Sequence, residues 1–253
     1  MNKGRTRSIA AAIATLALAA ASSGAHAALI HWTDWTGGDL DPTTPGFQAQ
    51  GTITTPTSTV TVTYTNANGI GFYQPSGGID YYTGGTAASS PYTSAAVDNR
   101  PTDSDIIALR YAGTQSLQFS QSIANPVFAF VSLNGNGYAF DQDFDILSFA
   151  HSNDGNACGY WGCGTSTKNV VDLGGGNFEY QLLGTGEPHG TLRFLGAFDT
   201  VSWRSLSSEN WNGFTVGVQG TAQEVLAAVP EPASLALLGV GLLGLLGSRR
   251  RST

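Results

Sequence analysis

From Ala28 to Gly220 apolar residues recur at every second position in short runs, and no long stretch repeats them at the 3.6-residue spacing of a helix. Val60, Val62 and Tyr64 alternate with Thr59, Thr61, Thr63 and Thr65; Ile106 to Tyr111 and then Leu117 with Phe119 continue the pattern. Pro126 to Leu133 is the most apolar run and predicts a central strand, closed by a turn at Asn134-Gly135-Asn136-Gly137, where Asn and Gly tolerate positive φ. Phe140, Phe144 and Ile146 then alternate with Asp141, Asp143 and Asp145 and run on into Leu147 to Ala150, which places the three carboxylates on one side of a strand or in one turn. Later strands are predicted at 178–183, 191–195, 200–205 and 213–219. About ten strands in one all-β domain, residues 28–220, imply two packed sheets in a jelly-roll-like β-sandwich, with a closed barrel as the competing architecture. No repeat of 20–50 residues is visible, which disfavours a propeller or β-helix. Residues 74–101, rich in Gly, Ser, Thr and Tyr, read as a long surface excursion. Residues 221–228 read as a spacer whose Ala-Gln-Glu-Val-Leu-Ala-Ala forms a short helical lead.

The two ends break this pattern. Lys3, Arg5 and Arg7 precede an uncharged apolar run from Ile9 to Ala21, followed by Ser22-Ser23-Gly24 and Ala25-His26-Ala27. This is the layout of a secretory signal peptide, residues 1–27, with cleavage after Ala27 and entry through the Sec export machinery. An apolar run of about 13 residues is too short to serve as a membrane anchor. At the other end Pro230-Glu231-Pro232 is followed by an uncharged Leu/Gly run from Ala233 to Gly247 and by Arg249, Arg250 and Arg251. This tripartite tail, residues 229–251, resembles the PEP-CTERM sorting signal. The resemblance implies handling by an exosortase, a membrane-embedded transpeptidase-like enzyme, and a place at the cell surface or in an exopolysaccharide or biofilm matrix. Independently of that resemblance, about 15 apolar residues make a helix of ~22 Å, short of the ~30 Å hydrocarbon core, so a single transmembrane helix here needs thinning or help from its flanks. The arginine cluster, as a cytoplasmic stop, sets its orientation and leaves the body of the protein outside the inner membrane of a Gram-negative-type cell.

Charge narrows the function. Between residues 28 and 229 only Arg100, Arg110, Lys168, Arg193 and Arg204 are cationic, against seventeen carboxylates, a balance of −12. Such a body repels nucleic acid and anionic lipid and favours cationic partners. Asp141, Asp143 and Asp145, with the oxygens of 152–156 near in sequence, are a candidate calcium site; Ile146 stands where an EF-hand needs Gly, and a solvated acidic strand face is the competing reading. No other cofactor is expected.

In an exported chain Cys158 and Cys163 read as a short-loop disulfide, with a free thiol pair or half a metal site as alternatives. Tyr160 and Trp161 inside that loop, and Tyr73, Tyr81, Tyr82 and Tyr92 around the excursion, offer flat faces on which sugar rings stack. Trp203 and Trp211 are expected in the core. No catalytic constellation emerges: Glu187-Pro188-His189 joins an acid to an imidazole, yet no second carboxyl partner is identifiable, and nucleophile-elbow, zinc-protease and phosphate-loop motifs are missing. The threonine row at 59–65 is explained by β-propensity on a solvated face rather than by ice binding. The sequence therefore points to a non-catalytic protein that binds polysaccharide or matrix, with a secreted hydrolase as the alternative.

Overall fold

The computed structural model describes residues 27–39, 46–83, 90–101, 104–149 and 158–228, and in these the regular structure is almost entirely strand. The strands are His31–Trp32 (β1), Asp34–Gly38 (β2), Phe47–Thr54 (β3), Thr59–Asn66 (β4), Phe72–Gln74 (β5), Ile106–Leu109 (β6), Gly113–Ala124 (β7) and Val127–Val131 (β8). They continue with Gly137–Phe140 (β9), Phe144–Phe149 (β10), Gly164–Gly174 (β11), Asn177–Gly186 (β12), Gly190–Phe194 (β13), Ala197–Ser205 (β14), Asn212–Val218 (β15) and Gly220–Thr221 (β16), ahead of the one described helix, Ala222–Ala228 (α1). The predicted helical lead is therefore present.

Two antiparallel sheets face each other. One runs β10-β13-β8-β15-β6-β5 with β1 on β15; the other runs β11-β12-β9-β14-β7-β4-β3-β2 with β16 on β7. From β6 onward the chain winds back and forth between them, giving β6-β15-β8-β13 in the first sheet and β7-β14-β9-β12 in the second. Aromatic rings fill the space between. Phe128 stacks on Phe214 at 5.7 Å, and Trp203 meets both edge-on at 5.3 and 5.1 Å. Such ring pairs add about 0.5–1.5 kcal/mol each beyond the area they bury.

The sheets differ in what covers them, and the sequence pattern follows. In the second sheet β3 and β4 alternate buried and more exposed residues, and the threonine row of β4 lies on the outward face. In the first sheet β6, β8 and β15 are buried at every position, so the runs of β6 and β8 are apolar throughout, while β15 also buries Asn212 and Thr215. The described parts of the 74–101 segment supply the second cover. Tyr82 and Tyr92 have no exposed surface, and with Tyr81 they pack against Ile106, Ala129 and Val131. The expected surface excursion is thus a lid with its tyrosines turned inward, which removes Tyr82 and Tyr92 as exposed binding residues.

At 140–144 the structure chooses between the strand and the turn. The acidic alternation is not one strand: β9 ends at Phe140, the chain changes sheet, and β10 begins at Phe144, with the two rings 5.5 Å apart. Asp141 and Asp143 stand in that corner. Asp143 accepts a charge-assisted hydrogen bond from Lys168 Nζ, and Asp145, out on β10, pairs with Arg193 at 3.4 Å. No group of three or more His, Cys, Asp or Glu side chains suited to a metal forms among the described residues.

Candidate functional site

The Cys158–Cys163 disulfide forms, and its loop is seated on the segment that follows β12. Glu187 N donates to Cys163 O at 3.0 Å, and Leu133 N donates to Pro188 O at 3.2 Å, so the loop, the 187–189 segment and the 132–136 turn are layered on one another. Two glycines permit the seating. Gly162 has φ of 137°, closed to most side chains, and any Cβ at Gly159 would collide with the ring of His189.

His189 is fully buried beneath the loop. Its Nδ1 shares a hydrogen bond with the Tyr92 hydroxyl at 3.2 Å, which ties the lid to the loop. Burial lowers its pKa to about 4, so the ring is neutral at physiological pH. The acid and the imidazole of Glu187-Pro188-His189 therefore part company: the imidazole goes inward and the acid outward.

The half-buried Glu187 faces a groove of about 290 Å³, lined also by Ser132, Asn134, Trp161, Glu209, Asn210 and Trp211. Trp161 and Tyr160 remain 52% and 41% exposed, the indole poised at the rim rather than in the core. Their rings are fixed by edge contacts. Tyr160 meets Tyr81 at 5.2 Å and Trp161 at 4.9 Å, and Trp161 meets Trp211 at 6.2 Å. Trp211 is half-buried rather than a full core residue, held by Phe72 at 5.1 Å and Tyr81 at 5.0 Å. Trp203, by contrast, is where the sequence puts it, in the core.

Both carboxylates are positioned by the 132–136 turn. Ser132 Oγ donates to Glu187 Oε2, and Asn134 Nδ2 donates to Glu187 Oε1 at 2.8 Å. Ser132 holds a φ of 55°, unusual for a residue with a side chain, and this conformation belongs to the turn that carries the two donors. Glu209 Oε1 accepts from Asn136 Nδ2 at 3.1 Å and from Asn212 Nδ2. Burial pushes the Glu209 carboxyl above its usual range; the Asn212 and Asn136 hydrogen bonds work against that rise, and the charge of Glu187 adds to it. A shallower depression of about 210 Å³ on the second sheet contains Glu179, but there Arg204 answers the carboxylate at 2.9 Å.

Of the residues singled out by sequence, the structure brings Tyr160, Trp161, Tyr81, Trp211 and Glu187 to one place and adds Asn134 and Glu209. Their separation along the chain hides this set; only Trp161, flanked by cysteines, signals it. Tyr73 instead donates its hydroxyl to Gly37 O at 2.7 Å, away from the groove. Pro230, Glu231, Pro232, Arg249, Arg250 and Arg251 lie outside the described residues, as do 1–26. Among the described residues no helix is long and apolar enough to cross a membrane.

A family model, the PEP-CTERM protein-sorting motif, matches residues 228–251. No curated protein and no solved structure matches the chain. The match supports an exported protein that an exosortase sorts.

Proposed function

We propose that the chain is a cell-surface or matrix protein whose sandwich binds polysaccharide, without catalysis, at the groove beside the Cys158–Cys163 loop. Its body is a jelly roll: the orders β6-β15-β8-β13 and β7-β14-β9-β12 follow that winding, with β10 and β11 inserted as outer strands. In this reading the signal peptide is removed after Ala27 and the 229–251 tail holds the protein in the inner membrane, with Arg249 to Arg251 cytoplasmic, until the exosortase acts.

The observation that carries the binding function is the half-exposed Trp161 indole, held by a disulfide loop and braced by Tyr160 and Trp211 over a groove with amide and carboxylate lining. A preformed flat apolar face ringed by a few polar groups is how proteins hold sugars without paying to order a loop. The hydrolase reading draws on Glu187 and Glu209 sharing that groove. Both, however, accept hydrogen bonds from amide or hydroxyl donors, the environment of buttressed supports rather than of a free acid and base. Affinity electrophoresis in gels containing exopolysaccharide tests the proposal. Retardation abolished by Trp161→Ala, with the melting curve unchanged, is the expected result; equal retardation of wild type and variant refutes it, and release of reducing ends from the polymer refutes its non-catalytic part.

A further inference from the structure

The groove has a charge as well as a shape. Among the described residues its lining includes two carboxylates, Glu187 and Glu209, and no Lys, Arg or His. The ion pairs among the described residues go elsewhere: Arg100 to Asp80, Lys168 to Asp143, Arg193 to Asp145 and Arg204 to Glu179. The side-chain donors that hold Glu187 and Glu209 among the described residues are all neutral, so these carboxylates are oriented there without a cationic partner. The indoles of Trp161 and Trp211 border the same space, and an indole face attracts a cation through its quadrupole.

We propose that the groove selects amino-sugar units bearing a free ammonium group, as in a de-N-acetylated hexosamine polymer. The proposal rests on the glycan-binding reading and names its ligand class. Ring faces stack on Trp161, hydroxyls meet the amides of Asn134 and Asn210, and the ammonium is placed between the carboxylates and the indoles. The body's balance of −12 draws a polycation toward it over a longer range and repels uronate-rich polymers. The small volume of the groove suits a sugar unit rather than a long chain segment.

Calorimetric titration of the full-length protein in detergent, at a slightly acid pH that keeps amines protonated, compares a glucosamine hexamer, its fully N-acetylated counterpart and a uronate hexamer. The glucosamine hexamer is expected to bind about tenfold more tightly than the acetylated one, to weaken with added salt, and to outcompete the uronate entirely. Glu187→Gln with Glu209→Gln is expected to erase that preference, so that the amine and acetylated oligomers bind this variant with equal affinity and without salt dependence. The salt dependence of the wild type is an independent reading should the double variant fail to fold. Equal affinity for the amine and acetylated oligomers, no response to salt, or preference for uronate overturns the charge selection but leaves glycan binding standing. Spermidine competing as well as the glucosamine hexamer overturns the sugar half, and absence of binding to all three oligomers overturns both readings.

Discussion

His189 enters the fold uncharged, with Nδ1 on Tyr92, no exposed surface, and no partner for Nε2 among the described residues. Its depressed pKa has a definite consequence for stability. An unfolded chain takes up a proton on this ring near the ordinary value of 6.5, whereas the folded chain resists until about 4. Stability is therefore independent of this residue above that range, and falls as pH drops from 6.5 toward 4, by roughly 3 kcal/mol at the lower limit. Urea denaturation across this interval should show the slope in the wild type and a flatter one in His189→Asn; parallel slopes would assign the acid sensitivity elsewhere. At this scale the sequence was partly legible. The Cys–Gly–Tyr–Trp–Gly–Cys loop advertised itself, but Glu187 and His189, two residues apart, face opposite ways, and adjacency in sequence carries no information about that. Glu209 offered no local signal because, although Asn212 is three residues away, its other partner Asn136 and the groove residues it faces come from distant parts of the chain.

Among the elements, α1 is better fastened than a spacer composition implies. Thr221 and Glu224 form a capping box: Thr221 Oγ1 accepts from Glu224 N at 3.2 Å, and Glu224 Oε2 accepts from Thr221 N at 2.7 Å. The other oxygen of the same carboxylate accepts from Thr57 N at 3.0 Å, from Thr55 Oγ1 at 2.7 Å and from the Thr57 hydroxyl, pinning the helix to the β3–β4 turn. Burial opposes ionisation of Glu224, but these hydrogen bonds outweigh it and hold its pKa at about 2. The latch is therefore intact above the ordinary carboxylate value of 4.5 and is lost as pH falls from there through about 2. Glu224→Gln is expected to cost about 1 kcal/mol and to raise amide hydrogen exchange in 222–228 while leaving β7 protected. Unchanged exchange would show that packing on β7 alone holds the helix. The elements that sequence pattern revealed are those with one or both faces apolar. Strands β3 and β11 escaped because Gln, Gly, Thr, Ser and Asn dominate them. The tyrosine lid escaped because its many glycines and serines mask three side chains that do the burying.

For the molecule as a whole, the sorting motif is written in contiguous residues and the candidate groove is not. The motif at 228–251 needs no fold to be recognised, whereas the groove exists only once 132–134, 161, 187 and 209–211 have been brought together. Delivery and binding should accordingly separate under mutation. Pro230→Ala with Glu231→Ala is expected to abolish surface delivery and leave oligosaccharide affinity intact, as read by fractionation of inner membrane, outer membrane and medium with mass determination of the C-terminal residue. Normal delivery of this variant would remove the tripeptide from the sorting signal.

The Glu224 latch bears on how the two halves of the molecule meet. Helix α1 ends at Ala228, and a single residue separates it from Pro230. That reach is at most about 7 Å. A processing enzyme that grips the tripeptide therefore has the sandwich at its entrance, at a stand-off set by the fold rather than by a tether. A chain whose body is unfinished offers the same tripeptide on a loose lead, with no such fixed spacing. On the proposed sorting reading, a variant that frees the seven-residue helix, such as Glu224→Gln, is expected to alter tail processing as well as local hydrogen exchange, and processing identical to wild type would separate the two.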